Sequence, residues 1–71
     1  MHVTEGRALA KPEMNRSKVV GRLESEGWKN EGGGDHDKFT KPGAAYPVLV
    51  PRHRTLSPGV ARSIAKAAGW I

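Results

Sequence analysis

The densest cluster of reactive side-chain types in the sequence is Asp35-His36-Asp37, a histidine between two carboxylates, preceded by three glycines and followed by Lys38 and Phe39. An imidazole titrates at about pH 6.5, so His36 can take or give a proton near neutrality. Gly32, Gly33 and Gly34 permit positive φ and let the backbone approach a ligand closely. Further along, Arg52-His53-Arg54 makes a compact basic triplet. A proton-transfer group beside concentrated positive charge suits chemistry in which a proton moves while negative charge builds on oxygen. Asp35 or Asp37 can orient the imidazole or raise its pKa. Metal binding is the competing use of Asp35, His36, Asp37 and His53. Consecutive strand residues point to opposite faces, however, so three in a row do not converge on one ion and no metal site is expected.

The elements that must hold these groups are legible in the spacing. Residues 36 to 40 read as a strand, with Asp37 and Phe39 on one face and His36, Lys38 and Thr40 on the other. If Phe39 is buried, His36 and Lys38 share the open face. Lys41-Pro42-Gly43-Ala44 fits a type II turn, with proline second and glycine where φ must be positive. The returning strand runs from Tyr46 to Pro51, with Val48 and Val50 on the core side, and its flanking prolines place it at an edge.

Before this hairpin, Val19, Val20 and Leu23 make one face of a helix that Ser17 can cap and Gly27 can end. Trp28 opens a short extended segment and is the expected core anchor. After the hairpin, Ser57-Pro58 reads as N-cap and first helical residue, with Leu56 placed to contact Ala61. Val60, Ile64, Ala67 and Ala68 form the expected buried stripe, Arg62 and Lys66 share a wet face, and Gly69 closes the helix before Trp70 folds back. Residues 1 to 13 show no sustained period and are expected to be a flexible extension, the domain occupying 14 to 71. The order is α-β-β-β-α, the topology of the double-stranded-RNA-binding domain. The expected architecture is a small α+β domain with a three-stranded antiparallel sheet and two helices on one face.

Size and charge narrow the function. A chain of 71 residues is one domain and buries about 60% of its unfolded surface, which leaves no room for a deep substrate cavity. It has no cysteine, so disulfides and thiolate zinc sites are excluded. Neither a signal peptide nor an apolar run approaching the ~20 residues of a membrane span is present, and a soluble, cytoplasmic protein is expected. The net charge is +5 and it is unevenly placed: residues 1 to 35 carry six basic and six acidic side chains, residues 36 to 71 six basic against Asp37 alone. The excess lies in the half that holds His36, and a polyanion such as nucleic acid is the fitting partner. An acidic protein is the alternative.

From about Met14 onward the chain resembles the HicA toxins, small mRNA interferases of bacterial toxin–antitoxin operons. The residues that carry the likeness are Gly27-Trp28 after the first helix, Gly34-Asp35-His36 followed by Asp37-Lys38-Phe39, the segment Val50-Pro51-Arg52-His53-Arg54, and Ser63-Ile64-Ala65-Lys66-Ala67-Ala68-Gly69 at the end. The chain departs from the family in placing Asp35, where serine is frequent, before the histidine. The resemblance implies an endoribonuclease with His36 as its single catalytic residue, mRNA as substrate, no small-molecule cofactor and a HicB-type antitoxin as partner. Lys38, Lys41, Arg52, His53, Arg54, Arg62 and Lys66 are the candidate RNA contacts. The alternative is a non-catalytic module that holds duplex RNA through backbone and 2′-hydroxyl contacts.

Overall fold

The structure is a computed structural model and describes residues 12–71. The extension expected over residues 1 to 13 therefore lies, apart from Pro12 and Glu13, outside the described residues. Five elements follow in the order helix, three strands, helix: α1 (Arg16–Ser25), β1 (Lys29–Asn30), β2 (His36–Thr40), β3 (Val48–Pro51) and α2 (Pro58–Ala67). The strands form one antiparallel sheet in the order β1-β2-β3. Among the described residues no helix is long and apolar enough to cross a membrane.

The cap of α1 differs from expectation. Asn15, not Ser17, is the N-cap, its side-chain oxygen accepting from the Lys18 N–H at 3.2 Å. Asn15 is held extended by an antiparallel bridge to Thr55, with Leu56 N–H donating to the Met14 carbonyl at 2.8 Å. That pairing fixes where the helix can begin. Ser17 falls inside the first turn.

Both helices end in the same way. Gly27 (φ 95°) and Gly69 (φ 82°) take the left-handed conformation after the last turn. The next residue is a tryptophan in each case, and its N–H reaches back to the Leu23 carbonyl at 3.0 Å or the Ala65 carbonyl at 2.7 Å. This is the hydrogen-bond pattern of a Schellman ending, which satisfies carbonyls the helix leaves open. The two tryptophans then part company. Trp28 is buried in the core, its indole N–H without an acceptor among the described residues. Trp70 stays half-buried, donating from Nε1 to Glu26 at 2.8 Å with the Arg22 guanidinium 4.2 Å from its ring centroid. The Trp70 N–H, acting against desolvation and joined by Arg22, holds the Glu26 carboxyl below the usual range.

One core cluster joins Val19 and Leu23 of α1, Trp28, Phe39, Val48 and Val50 of the sheet, and Leu56, Ala61 and Ile64. Both helices thus pack on the sheet face that carries Phe39. The buried stripe of α2 is rotated from the expected one: Ala61, Ile64 and Ala65 are buried, Val60 and Ala68 half-buried, and Ala67 exposed. Ala61 and Ala65 face the core beside Ile64, and Val60 falls at the border. The third strand begins at Val48, so Tyr46 lies outside it and is exposed. Leu49, a core candidate by residue type, is 54% exposed because alternation assigns the inward positions to Val48 and Val50. The turn at Lys41-Pro42-Gly43-Ala44 forms as expected, with Ala44 N–H donating to the Lys41 carbonyl at 3.0 Å and Gly43 at φ 88°.

Candidate functional site

Strand β2 carries the candidate site on one side and the core on the other. Its burial alternates as exposed, buried, exposed, buried, intermediate from His36 to Thr40. His36 and Lys38, two residues apart on one face, stand roughly 7 Å from each other along the strand. The register extends this face across the sheet. His36 pairs with Pro51, Lys38 with Leu49, and Lys29 with Thr40. Directly paired residues of antiparallel strands share a face. Lys29 therefore joins His36 and Lys38, a placement that residue order alone did not reveal because it depends on which residue of β2 lies opposite.

His36 sits where two depressions meet. On one side the backbone of residues 31 to 35, with Lys38 and Leu49, bounds a concavity of about 520 Å3. On the other a groove of about 340 Å3 runs between β3 and α2, lined by Val48, Leu49, Pro51, Val60 and Ser63. The first is rimmed by glycines and polar groups and the second is mostly apolar.

Asp37 faces away from the imidazole and is 9% exposed. Its carboxylate is gripped by two arginines: Arg16 Nη2 donates to Oδ2, and Arg52 donates to Oδ1 from Nη2 at 2.8 Å and from Nε at 3.1 Å. The Arg52 guanidinium, against the opposing effect of desolvation and with help from Arg16, holds the Asp37 carboxyl below the usual carboxylate range. Asp37 thus serves the frame rather than the imidazole, while Asp35 is exposed in the loop before it. Arg52 also donates to the carbonyls of Gly34 and Gly33, both at 2.9 Å, so all three of its guanidinium nitrogens are engaged within the protein. Arg16 completes the cluster by donating from Nε to the Pro51 carbonyl at 2.7 Å. Sequence order gave no sign of this cluster, whose members are separated by 15 and 21 positions.

The remaining candidates are spread more widely. His53 and Arg54 are exposed in the loop after β3. The Lys41 ammonium lies 5.5 Å from the Trp28 ring centroid, at the far end of β2 from His36. Arg62 and Lys66 are exposed on α2, and Arg62 lines a separate cleft with Pro12, Glu13, Met14 and Pro58. Among the described residues no three histidine or carboxylate side chains come together as metal ligands.

The family model described as HicA toxin of bacterial toxin-antitoxin matches residues 16–70, which takes in every element from α1 to the Trp70 ending. The chain belongs to the HicA toxin family. No curated protein matches the chain. A HicA toxin is the poison of a toxin–antitoxin pair, so an antitoxin partner goes with the assignment in general terms. The α-β-β-β-α order that the family resemblance implied is the order found, and His36 stands on the exposed face of β2.

Proposed function

We propose that this toxin is an mRNA-cleaving endoribonuclease that works without a metal ion and uses His36 as its catalytic residue. The observation that carries the reading is the placement of an exposed imidazole on the sheet face that no described helix covers, with Lys38 and Lys29 on the same face, at the lip of the glycine-rimmed concavity. In this reaction the 2′-oxygen of a ribose attacks the adjacent phosphorus and the bond to the 5′-oxygen of the next nucleotide breaks. His36 takes the proton of the 2′-hydroxyl while water protonates the departing 5′-oxygen, or in the alternative assignment His36 protonates the departing oxygen and water takes the 2′ proton. Lys38 provides positive charge for the phosphorane, Lys29 and Arg54 provide it for the RNA backbone on either side, and His53 contacts that backbone from the loop after β3. Lys41, Arg62 and Lys66 extend the basic surface. A HicB-type antitoxin silences the toxin, and the site of action is the cytoplasm, where mRNA is found.

The test is cleavage of a single-stranded RNA by wild type and by His36→Ala. Loss of one positioned acid or base lowers the rate by ~10²- to 10⁴-fold. Because the imidazole is exposed, RNA affinity and thermal unfolding should be nearly unchanged. In cells, expression of the wild-type chain should arrest growth, the His36→Ala chain should not, and a co-expressed HicB-type antitoxin should relieve the arrest. Equal RNA integrity with both proteins, alongside tight binding of duplex RNA, would instead support a non-catalytic binding module with the same topology.

A further inference from the structure

One side chain holds the chain on both sides of His36. The Arg52 guanidinium binds the carbonyls of Gly33 and Gly34 before the histidine and the Asp37 carboxylate after it. Arg16 binds the same carboxylate from the other oxygen and the carbonyl of Pro51, the residue opposite His36 in the sheet. The loop so held cannot easily rearrange. Gly33 has φ 149°, and a side chain there would collide with the His36 carbonyl oxygen. The Gly33–Gly34 backbone is therefore pressed against the start of β2 and fastened there by Arg52.

Stability does not exhaust what this arrangement does. The Asp37 end is nearly buried and its two-donor contact adds to folding, but the Arg52 side chain is 48% exposed and two of its nitrogens also serve loop carbonyls. What the guanidinium supplies is a planar fork with several donors at fixed angles, which can satisfy a carboxylate and two carbonyls together. A lysine ammonium is a single point of charge and cannot span the three acceptors in the same geometry.

We propose that Arg52 is a positioning residue for His36: by tying the glycine loop to Asp37 it fixes the imidazole relative to a ribose-phosphate chain lying on the open face. The consequence for catalysis rests on the endoribonuclease reading, whereas the positioning itself does not. It also changes what Arg52 is expected to do. As an RNA contact, its removal would weaken binding and reduce the salt dependence of affinity by about one ion. As a positioning residue, its removal slows the reaction of RNA already bound.

The full-length chain with Arg52→Ala and with Arg52→Lys separates these outcomes. Three quantities are measured: the single-turnover cleavage rate at saturating single-stranded RNA, RNA affinity against salt, and the His36 ring C–H signals by NMR. For Arg52→Ala the expected result is a rate lower by on the order of 10²-fold, the cost of a small misplacement of reacting groups. The salt slope should be unchanged, and the His36 ring signals should shift or broaden while those of Phe39 keep their folded positions. Arg52→Lys should restore neither the rate nor the ring signals. Should Arg52→Ala fail to fold, Arg52→Lys decides, since it keeps a positive charge beside Asp37. A flattened salt slope with an unchanged rate at saturation would overturn the inference in favour of a phosphate contact. Full recovery with lysine would overturn it in favour of charge alone, and unmoved ring signals would overturn it outright. If wild type cleaves no RNA, the endoribonuclease reading falls, and the ring signals still test the positioning.

Discussion

The two faces of β2 are built from alternate residues of a five-residue strand, yet they answer to different demands. Inward, Asp37 and Phe39 are each committed: Phe39 is fully enclosed by the core, and Asp37 is bound by two guanidiniums. Outward, His36 and Lys38 are exposed and form no hydrogen bond or ion pair with other described side chains. The inward pair specifies where the strand lies. The outward pair is free to meet something else, and it is held in place by neighbours rather than by contacts of its own. A chain this small has no spare element to devote to a site, so one strand must serve both as core and as platform.

The most forceful way to break this contrast is Phe39→Ala. Emptying a large core position costs roughly 3–5 kcal/mol, comparable with the whole stability of a small domain. The expected outcome is a largely unfolded protein by circular dichroism and the loss of every activity together. His36→Ala, one face over, should leave the unfolding midpoint in place and remove cleavage. If the two substitutions had similar effects on stability, the faces would not be as distinct as the burial pattern makes them.

Acid should act on the inward face next. The Asp37 carboxyl titrates below its ordinary value when folded, first because of Arg52 and then Arg16, against the desolvation that pushes it up. A depressed folded value means that this carboxylate stabilises the fold above its unfolded pKa, about 3.9, and that the contribution disappears as pH falls through the folded value. Comparing thermal midpoints of wild type and Asp37→Asn across pH isolates it. Wild type should be the more stable near neutrality, and the gap should close below about pH 4. A gap that stayed constant into acid would mean that the carboxylate charge is not what the arginines hold.

Smallest is the effect expected on the outward face from Lys38→Ala. Stability should not change, RNA affinity should fall moderately, and the slope of log affinity against log salt should drop by about one, as for a single phosphate contact. Lys29→Ala should resemble it, because the register places both on one face. Filter binding over a salt series measures both. An unaltered slope for Lys38→Ala would sharpen the comparison by confining the RNA to the loop side of His36.

How far the sequence could be read depended on the reach of the interaction concerned. The β2 alternation, the turn at Pro42-Gly43, the Ser57 cap of α2 and both Gly-Trp helix endings are set by residues within a few positions of one another, and all were legible. So was the outward placement of His36, because it follows from the same alternation. The start of α1 was misplaced by two residues because Asn15 is fixed by Thr55, forty positions later. The stripe of α2 was rotated because the face of the helix that meets the sheet is set by tertiary packing, which residue hydrophobicity along the helix does not specify.

The amino-acid order by itself determined the element sequence, the side of β2 on which His36 stands and the family to which the chain belongs, since these follow from short-range periodicity and contiguous motifs. Folding in three dimensions decided that Arg16 and Arg52 converge on Asp37, that Arg52 grips the loop before His36, and that Lys29 joins the open face. The physical reason is that an arginine can pair with any carboxylate or carbonyl the fold brings within reach. Only the hydrogen bonds that tie the start of α1 to Pro51 and Arg54, and the register of the strands, select the one that it meets.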